Sequence, residues 1–308
     1  MIGIAVLVAP SFLLIAVGYA ARRLLPAAEF WNTLDKLVYW LLIPALFLAK
    51  ISSADLGSSP LGAFAAILYA GFFGALAFGW VAQRLIGLAP AQGSDVVQGS
   101  GRFNTFLGLA IAGALYGPAG LQAGVLGSAL LVPVVNVSVV TVLAAMLGQR
   151  GSGSRFFRTL GELARNPFIL SILAGLAFNL AGLKQVPVLH DTADMLGQAA
   201  LPIMLLAVGA NLQLRGIGGA WGPVALAAFG KLVVFPLLVL AAIALIEPPQ
   251  LVAQVAIIYA ALPVAASAYA LARQMGGDAE LMAAMISVQT ALAFVTLPAT
   301  LALAGWLY

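Results

Sequence analysis

Apolar runs long enough to cross a bilayer follow one another along this entire chain of 308 residues. Spanning the hydrocarbon core takes roughly 20 apolar residues as helix. Such runs fall near 3–23, 33–50, 61–85, 102–116, 120–147, 167–183, 193–213, 220–246, 251–272 and 280–306. They are continuous and lack inside/outside alternation, which favours helices over a β-barrel. With 63% apolar residues against 14 basic and 10 acidic ones, no soluble fold could cover a water-facing surface. The expectation is therefore an all-α membrane protein of ten transmembrane helices. The fourth run is short, and its flanks, Gly99-Ser100-Gly101 and Gly117-Pro118, argue for an interrupted segment.

The same residues exclude several chemistries. Cysteine is absent and histidine occurs once, so a disulfide framework, a thiolate nucleophile and a His-rich metal site are all unexpected. His190-Asp191 has the residue types of part of a triad, but the pair is expected in an outer loop. No expected span holds a central carboxylate, and there is no phosphate-binding loop. The chain reads as a non-enzyme without a cofactor, driven by a gradient or by its substrate's own potential.

The basic pI near 9.6 is a topology signal. The long polar stretch Gln149 to Asn166 holds Arg150, Arg155, Arg158 and Arg165, which the positive-inside rule places in the cytoplasm. Ten spans then put Arg22, Arg23, Arg84, Arg102, Arg215 and Arg273 on that side too. The opposite loops carry Lys50, Asp55, Lys184, His190, Asp191 and Glu247, nearly neutral in sum. Both termini are expected outside. The apolar stretch from Met1 to Ala21 is followed rather than preceded by its arginines, which suits a first span more than a cleaved signal. Nucleic acid needs no place as a partner; the lipid bilayer does.

Sliding the chain on itself by 157 to 160 residues aligns four features in order. Pro10 and Gly18 match Pro167 and Gly175. Asp35 with Pro44-Ala-Leu-Phe-Leu-Ala matches Asp194 with Pro202-Ile-Met-Leu-Leu-Ala. Tyr116-Gly-Pro-Ala-Gly-Leu121 matches Gly276-Gly-Asp-Ala-Glu-Leu281, and Thr105 matches Pro263. A five-helix unit has an odd number of spans, so a second copy would be inverted, as in secondary transporters, unless the match is chance similarity among apolar segments. The expected units are 1–147, a basic loop 148–166, and 167–308.

Pro263 interrupts its helix in mid-span, and Asn104-Thr105 stands at the matching level of the fourth. Broken backbone at membrane depth is tolerated where it lines a cavity or is buried in protein. Two half-helix N-termini at one level would favour an anion, unless the break is an ordinary proline kink. Lys231, about a dozen residues into the run from Ala220, could pair with an anionic substrate or carry a proton. It could equally cap a broken helix or pair with a carboxylate. Asn136 and Asn211 could face a cavity or join helices. Ser267, Tyr259, Gln289 and Thr290 add polar atoms to the ninth and tenth spans.

These residues resemble the auxin efflux carrier family of bacteria and plants. The resemblance lies in Gly18-Tyr19 to Arg22-Arg23, Leu34-Asp-Lys-Leu to Pro44-Ala-Leu-Phe, and Phe103-Asn-Thr-Phe-Leu-Gly108. It continues through Ala114-Leu-Tyr-Gly117, Asn166-Pro167, Leu201-Pro202 to Gly209-Ala-Asn-Leu212, and Leu262-Pro263 to Gln274-Met-Gly-Gly-Asp278. It implies two inverted five-helix repeats with crossing helices 4 and 9, the architecture also of bile-acid sodium symporters. It further implies a scaffold of helices 1, 2, 6 and 7, a homodimer through helices 2 and 7, and an elevator of helices 3–5 and 8–10. Plant relatives export the auxin carboxylate, and bacterial relatives are linked to small carboxylates such as malonate or malate. The short central loop is like that of bacterial members, which implies a bacterial inner membrane. The crossover asparagine and proline carry over to Asn104 and Pro263. Position 105 departs from the plant exporters, which have proline there, and no charge stands between Leu61 and Gln83 where theirs do.

The site expected to bind substrate thus comprises Asn104, Thr105, Pro263, Lys231, Asn136, Ser267 and Tyr259. The expected activity is export of a small organic anion, with H⁺ or Na⁺ as possible coupling ion. A sodium-coupled importer and an anion sensor or channel stand as alternatives.

Overall fold

The computed structural model describes residues 2–57, 59–148, 161, 165–212 and 221–307. Every regular element among them is helical. Helix α1 is Ile2–Leu24. Helix α2 covers 28–52 as Ala28–Leu37, a π-helical turn Val38–Leu42, and Ile43–Ser52. Next come α3, Leu61–Leu85, and the first half of α4, Pro90–Gly101. A helix from Thr105 to Met146 follows. It divides at Gly117, whose φ of 61° and ψ of −151° only glycine holds readily, into the second half of α4 (105–116) and α5 (118–146). Helices α6, Pro167–Leu180, and α7, Leu189–Ala210, come next. Helix α8 covers 221–246 as Trp221–Phe229, a π-helical turn Gly230–Val234, and Phe235–Ile246. Helix α9 is split into Gln250–Ala261 and Ser267–Met275, and α10 is Ala279–Leu307.

Each π turn is followed one residue later by a proline, the second residue of the next piece: Pro44 in α2 and Pro236 in α8. Proline lacks the N–H for the i−4 carbonyl and clashes with it, and one widened turn relieves both defects without stopping the helix.

Among the described residues, six helical stretches are long and apolar enough to cross a bilayer, one of them the whole of 90–146. The remaining helices, α2, α6 and α9, are charged at one end, short or broken. Leu13, Leu173, Leu245 and Val295 point outward from four different helices, as a lipid-facing surface requires.

Three spans begin four or more residues earlier than expected: α2 at Ala28, α4 and α7. Helix α4 starts at Pro90, twelve residues before the expected boundary, so Arg102 lies between two helical pieces and not in a loop. Asp95 lies inside the first piece and is fully buried, which corrects the expectation that no span carries an internal carboxylate. The segment Pro-Ala-Gln-Gly-Ser-Asp-Val-Val-Gln-Gly-Ser-Gly is too polar for lipid, but it is enclosed by protein, where glycine and serine allow close packing. Helix α7 starts at Leu189, so His190 and Asp191 belong to its first turn and not to a loop. His190 is buried, pairing Nε2 with Ser52 Oγ at 2.7 Å and accepting the Val186 N–H at 2.8 Å, a structural tie. The expected basic loop 148–166 lies largely outside the described residues, as do Arg150, Arg155, Arg158 and Arg215.

Packing divides the helices into two groups. Helix α1 lies on α7, and α2 lies on both α6 and α7. The α1–α7 approach is backbone on backbone: a Cβ at Gly18 would strike the Leu206 carbonyl, and one at Gly209 the Ile15 carbonyl. In the second group α3 packs on α8 and on the first half of α4, while the first half of α9 packs on α5, α8 and α10. A cavity of about 650 Å³ separates the two groups where α4 and α9 are broken.

Candidate functional site

The two breaks meet. The Asn104 N–H donates to the Pro263 carbonyl at 2.8 Å, joining extended backbone of α4 to extended backbone of α9. Each break frees helix-end groups that burial in a membrane makes costly, so each needs a partner. Asn104 Oδ1 accepts from the Phe106 and Leu107 N–H groups and caps the second half of α4. Gln289 of α10 serves both breaks. Its Nε2 donates to the Gly99 carbonyl and its Oε1 accepts from the Val264 N–H, each at 3.0 Å. Lys231 Nζ donates to the Ala260 carbonyl at 2.8 Å and, more weakly, to that of Tyr259 at 3.4 Å, closing the first half of α9.

Arg102 has the opposite character. It occupies the residue after Pro90–Gly101 with extended backbone, is only 7% exposed, and lines the cavity. Its Nη2 donates to Asn136 Oδ1 at 3.2 Å and to Ser267 Oγ at 3.1 Å, both neutral acceptors. Nε and Nη1 have no hydrogen-bond partner. Among the described residues no carboxylate pairs with it; the ion pair they contain is Lys50–Asp194, at 2.7 Å. A guanidinium has five donors and does not deprotonate, so Arg102 is a desolvated cation with no counter-ion among the described residues.

Of the residues expected to bind substrate, Asn104, Thr105, Asn136 and Ser267 come together around this cavity. The second half of α9 begins there too, with no side-chain cap on its first turn. Pro263 shapes the break without lining the cavity. Tyr259 is fully buried away from it, donating to the Gly124 carbonyl at 2.6 Å and pairing with the Ser128 hydroxyl. Lys231 lies away from it as well, 3.8 Å over the Phe235 ring. Toward the arginine-rich end the cavity reaches Arg22, Lys36, Asn166 and Asn211, the last donating to Asp35 at 2.7 Å.

The residue that sequence reasoning missed is Arg102. Starting the fourth span at position 102 made its arginine interfacial, although Pro90 at the head of an uninterrupted polar helix marks the true start.

The described residues contain no group of three or more potential metal-binding side chains. What the arrangement offers is a water-accessible chamber with one buried cation, hydroxyl and amide groups, and a helix start without a side-chain cap, although the Ala268 and Tyr269 N–H groups already donate to the Ala265 and Ala266 carbonyls. It can bind an anion small enough for a space of about 650 Å³, within the usual ~300–1,000 Å³ of small-molecule sites.

Comparisons with known proteins agree with a transporter. Residues 155–301 match the family model described as "Membrane transport protein". A Rhizobium meliloti protein named "Putative malonate transporter" is 30% identical over 94% of this chain and 92% of its own length. An "Uncharacterized transporter" from Methanothermobacter thermautotrophicus is 26% identical over 92% of this chain and 93% of its own. Both names describe transporters, which is not an enzyme class. The chain belongs to the membrane transport protein family, the auxin efflux carrier type of membrane transporter.

Proposed function

We propose that this protein is a secondary transporter of small organic carboxylates, with a short dicarboxylate such as malonate as first candidate. The observation that carries the reading is Arg102, a buried cation without a counter-ion at the junction of two broken helices. Nothing in helix geometry requires an arginine there, since Asn104, Gln289 and Lys231 already satisfy the broken ends. A carboxylate at Arg102 gains a charge-assisted contact in a low-dielectric setting, with the positive dipole end of the second half of α9 nearby. The name of the Rhizobium relative narrows the choice among carboxylates.

The mechanism in this reading is an elevator built from two inverted repeats. Helices α1, α2, α6 and α7 form the scaffold, and α3–α5 with α8–α10 carry the site. The packing supports the repeat: α1 lies on α7 as α6 lies on α2, the exchange expected if residues 1–147 and 167–308 are related by inversion. Gly18 and Gly175, equivalent under that shift, both stand at these contacts, against Leu206 and Ile51 respectively. The cavity reaches the arginine-rich end, so under the positive-inside rule the conformation is inward-facing with both termini outside. A second copy joins through α2 and α7 in the plane of a bacterial inner membrane.

The experiment is solid-supported-membrane electrophysiology on proteoliposomes, with malonate, malate, lactate and indole-3-acetate, each with and without sodium. Asn104→Ala serves as the binding-defective control. A saturable malonate response that Asn104→Ala abolishes supports the reading. Silence from folded protein across the panel, joined by no exchange of labelled malonate, refutes it.

A further inference from the structure

The first half of α4 buries a carboxylate as well as the guanidinium at its end. Asp95 is fully buried, two helical turns before Arg102 and on the same side of the helix. Its Oδ1 accepts from Gln98 Nε2 at 2.8 Å and its Oδ2 from the Asp278 N–H at 2.6 Å. Both donors are neutral, so the charge has no opposite partner. The approach of the Asp278 segment is close enough that a Cβ at Gly277 would sit 2.7 Å from Oδ1.

The surroundings hold little else that titrates. Among the described residues, α3 brings neutral Gln83 and Arg84, which is exposed and stacked 3.8 Å over Trp80. Helix α8 brings Lys231, committed to the Ala260 carbonyl. The second half of α9 brings Tyr269 and exposed Arg273, and α10 brings exposed Glu280. Asp278 lies between these last two helices, its Oδ1 capping α10 through the Leu281 N–H. Residues 105–146 add only Tyr116.

Gln98 supplies the second observation. Its Oε1 is buried and has no hydrogen-bond partner while its Nε2 serves Asp95. Turning the carboxamide over brings this acceptor to Asp95 in place of the donor. One orientation suits a carboxylate and the other a carboxylic acid that donates its O–H. A metal cation fits less well, because both carboxylate oxygens already face N–H groups, whereas hard cations need oxygen ligands.

We infer that Asp95 is the proton-binding site of this transporter, loaded together with an anion at Arg102 on the same half-helix. This rests on the carboxylate-transport reading above. The linkage is one of charge. With Arg102 unoccupied, Asp95 and Arg102 balance; a carboxylate group at Arg102 takes up that positive charge, and one proton from water neutralises Asp95, so a dianion such as malonate leaves only the charge of its second carboxylate on the loaded site. At about 10 Å, two turns, and an effective dielectric near 20, the repulsion between Asp95 and each unit of bound negative charge corresponds to roughly tenfold in anion affinity. The protonated, loaded half-helix moves; the empty carrier returns after Asp95 releases its proton.

The test uses full-length wild type, Asp95→Asn and Asp95→Glu in proteoliposomes, with labelled malonate and a lumenal pH dye. The amide retains the shape and an acceptor for the Asp278 N–H while removing the proton cycle. Wild type is expected to move protons with malonate and to accumulate malonate on a pH gradient. Asp95→Asn is expected to bind malonate at least about tenfold more tightly and to keep malonate exchange, while losing gradient-driven accumulation. Asp95→Glu should restore part of it. Malonate flux in wild type without proton movement, or coupling that survives Asp95→Asn, overturns the inference. If malonate does not move in exchange mode either, the carboxylate reading itself fails. Infrared difference titration then decides for Asp95: a carboxylic-acid band that Asp95→Asn removes supports proton binding, and identical spectra overturn it.

Discussion

Replacing Lys231 by methionine separates holding the break from holding the substrate. The lysine is fully buried, 2.8 Å from the Ala260 carbonyl and 3.8 Å over the Phe235 ring. Leaving that carbonyl without its donor costs about 1–3 kcal/mol, and losing the ring contact about 1 kcal/mol more. Methionine refills most of the volume, and removing a buried amine recovers part of its desolvation. The net loss is about 2 kcal/mol, which at roughly 2–4 °C per kcal/mol lowers the melting temperature by about 4–8 °C. Malonate affinity should fall by no more than roughly tenfold, the size of a through-space charge effect. Thermal melts in detergent and calorimetric titration of the folded protein read both quantities. An unchanged melting temperature with a loss of affinity beyond about 100-fold would place Lys231 on the anion and refute the structural role.

Arg102→Gln should melt at or above the wild-type temperature without ligand, because an unpaired buried cation is costly to hold. Malonate should then raise the melting temperature of wild type and not of the variant. Gln289→Leu leaves the Gly99 carbonyl and the Val264 N–H without their partners and should destabilise by about 2–4 kcal/mol in the same melts. Gly209→Ala forces α1 and α7 apart at the Ile15 carbonyl, and a marked loss of folded protein on size exclusion is expected. Removing the partly exposed Lys50–Asp194 pair with Lys50→Met should change stability by less than about 1 kcal/mol.

Much of the fold was legible because lipid imposes a simple rule: α1, α3, α8 and α10 are long, apolar and nearly free of charge. The two broken helices were legible through Pro263 and the Asn104-Thr105 pair, since proline in mid-span has a defined backbone consequence. The rule fails where protein replaces lipid as the solvent. The first half of α4 is polar yet buried from Gly93 to Gly101, so reading for apolar runs passed over Asp95 and misassigned Arg102. A shift of 159 residues pairs Pro249, just before the first half of α9, with Pro90, and following it would have placed that start. Lys231 illustrates the converse. Its depth was readable from sequence, but its partners are two carbonyls freed by a break in another helix, which only the packed structure brings together.

The central claim is that the Arg102 guanidinium holds the transported carboxylate, and exchange of labelled malonate across proteoliposomes tests it most directly. Wild type should exchange malonate saturably. Arg102→Gln, shown by size exclusion and melting to be folded, should lose at least about 100-fold in apparent affinity, the ~2.7 kcal/mol expected for a buried charge pair. Exchange by Arg102→Gln with wild-type affinity would contradict the account.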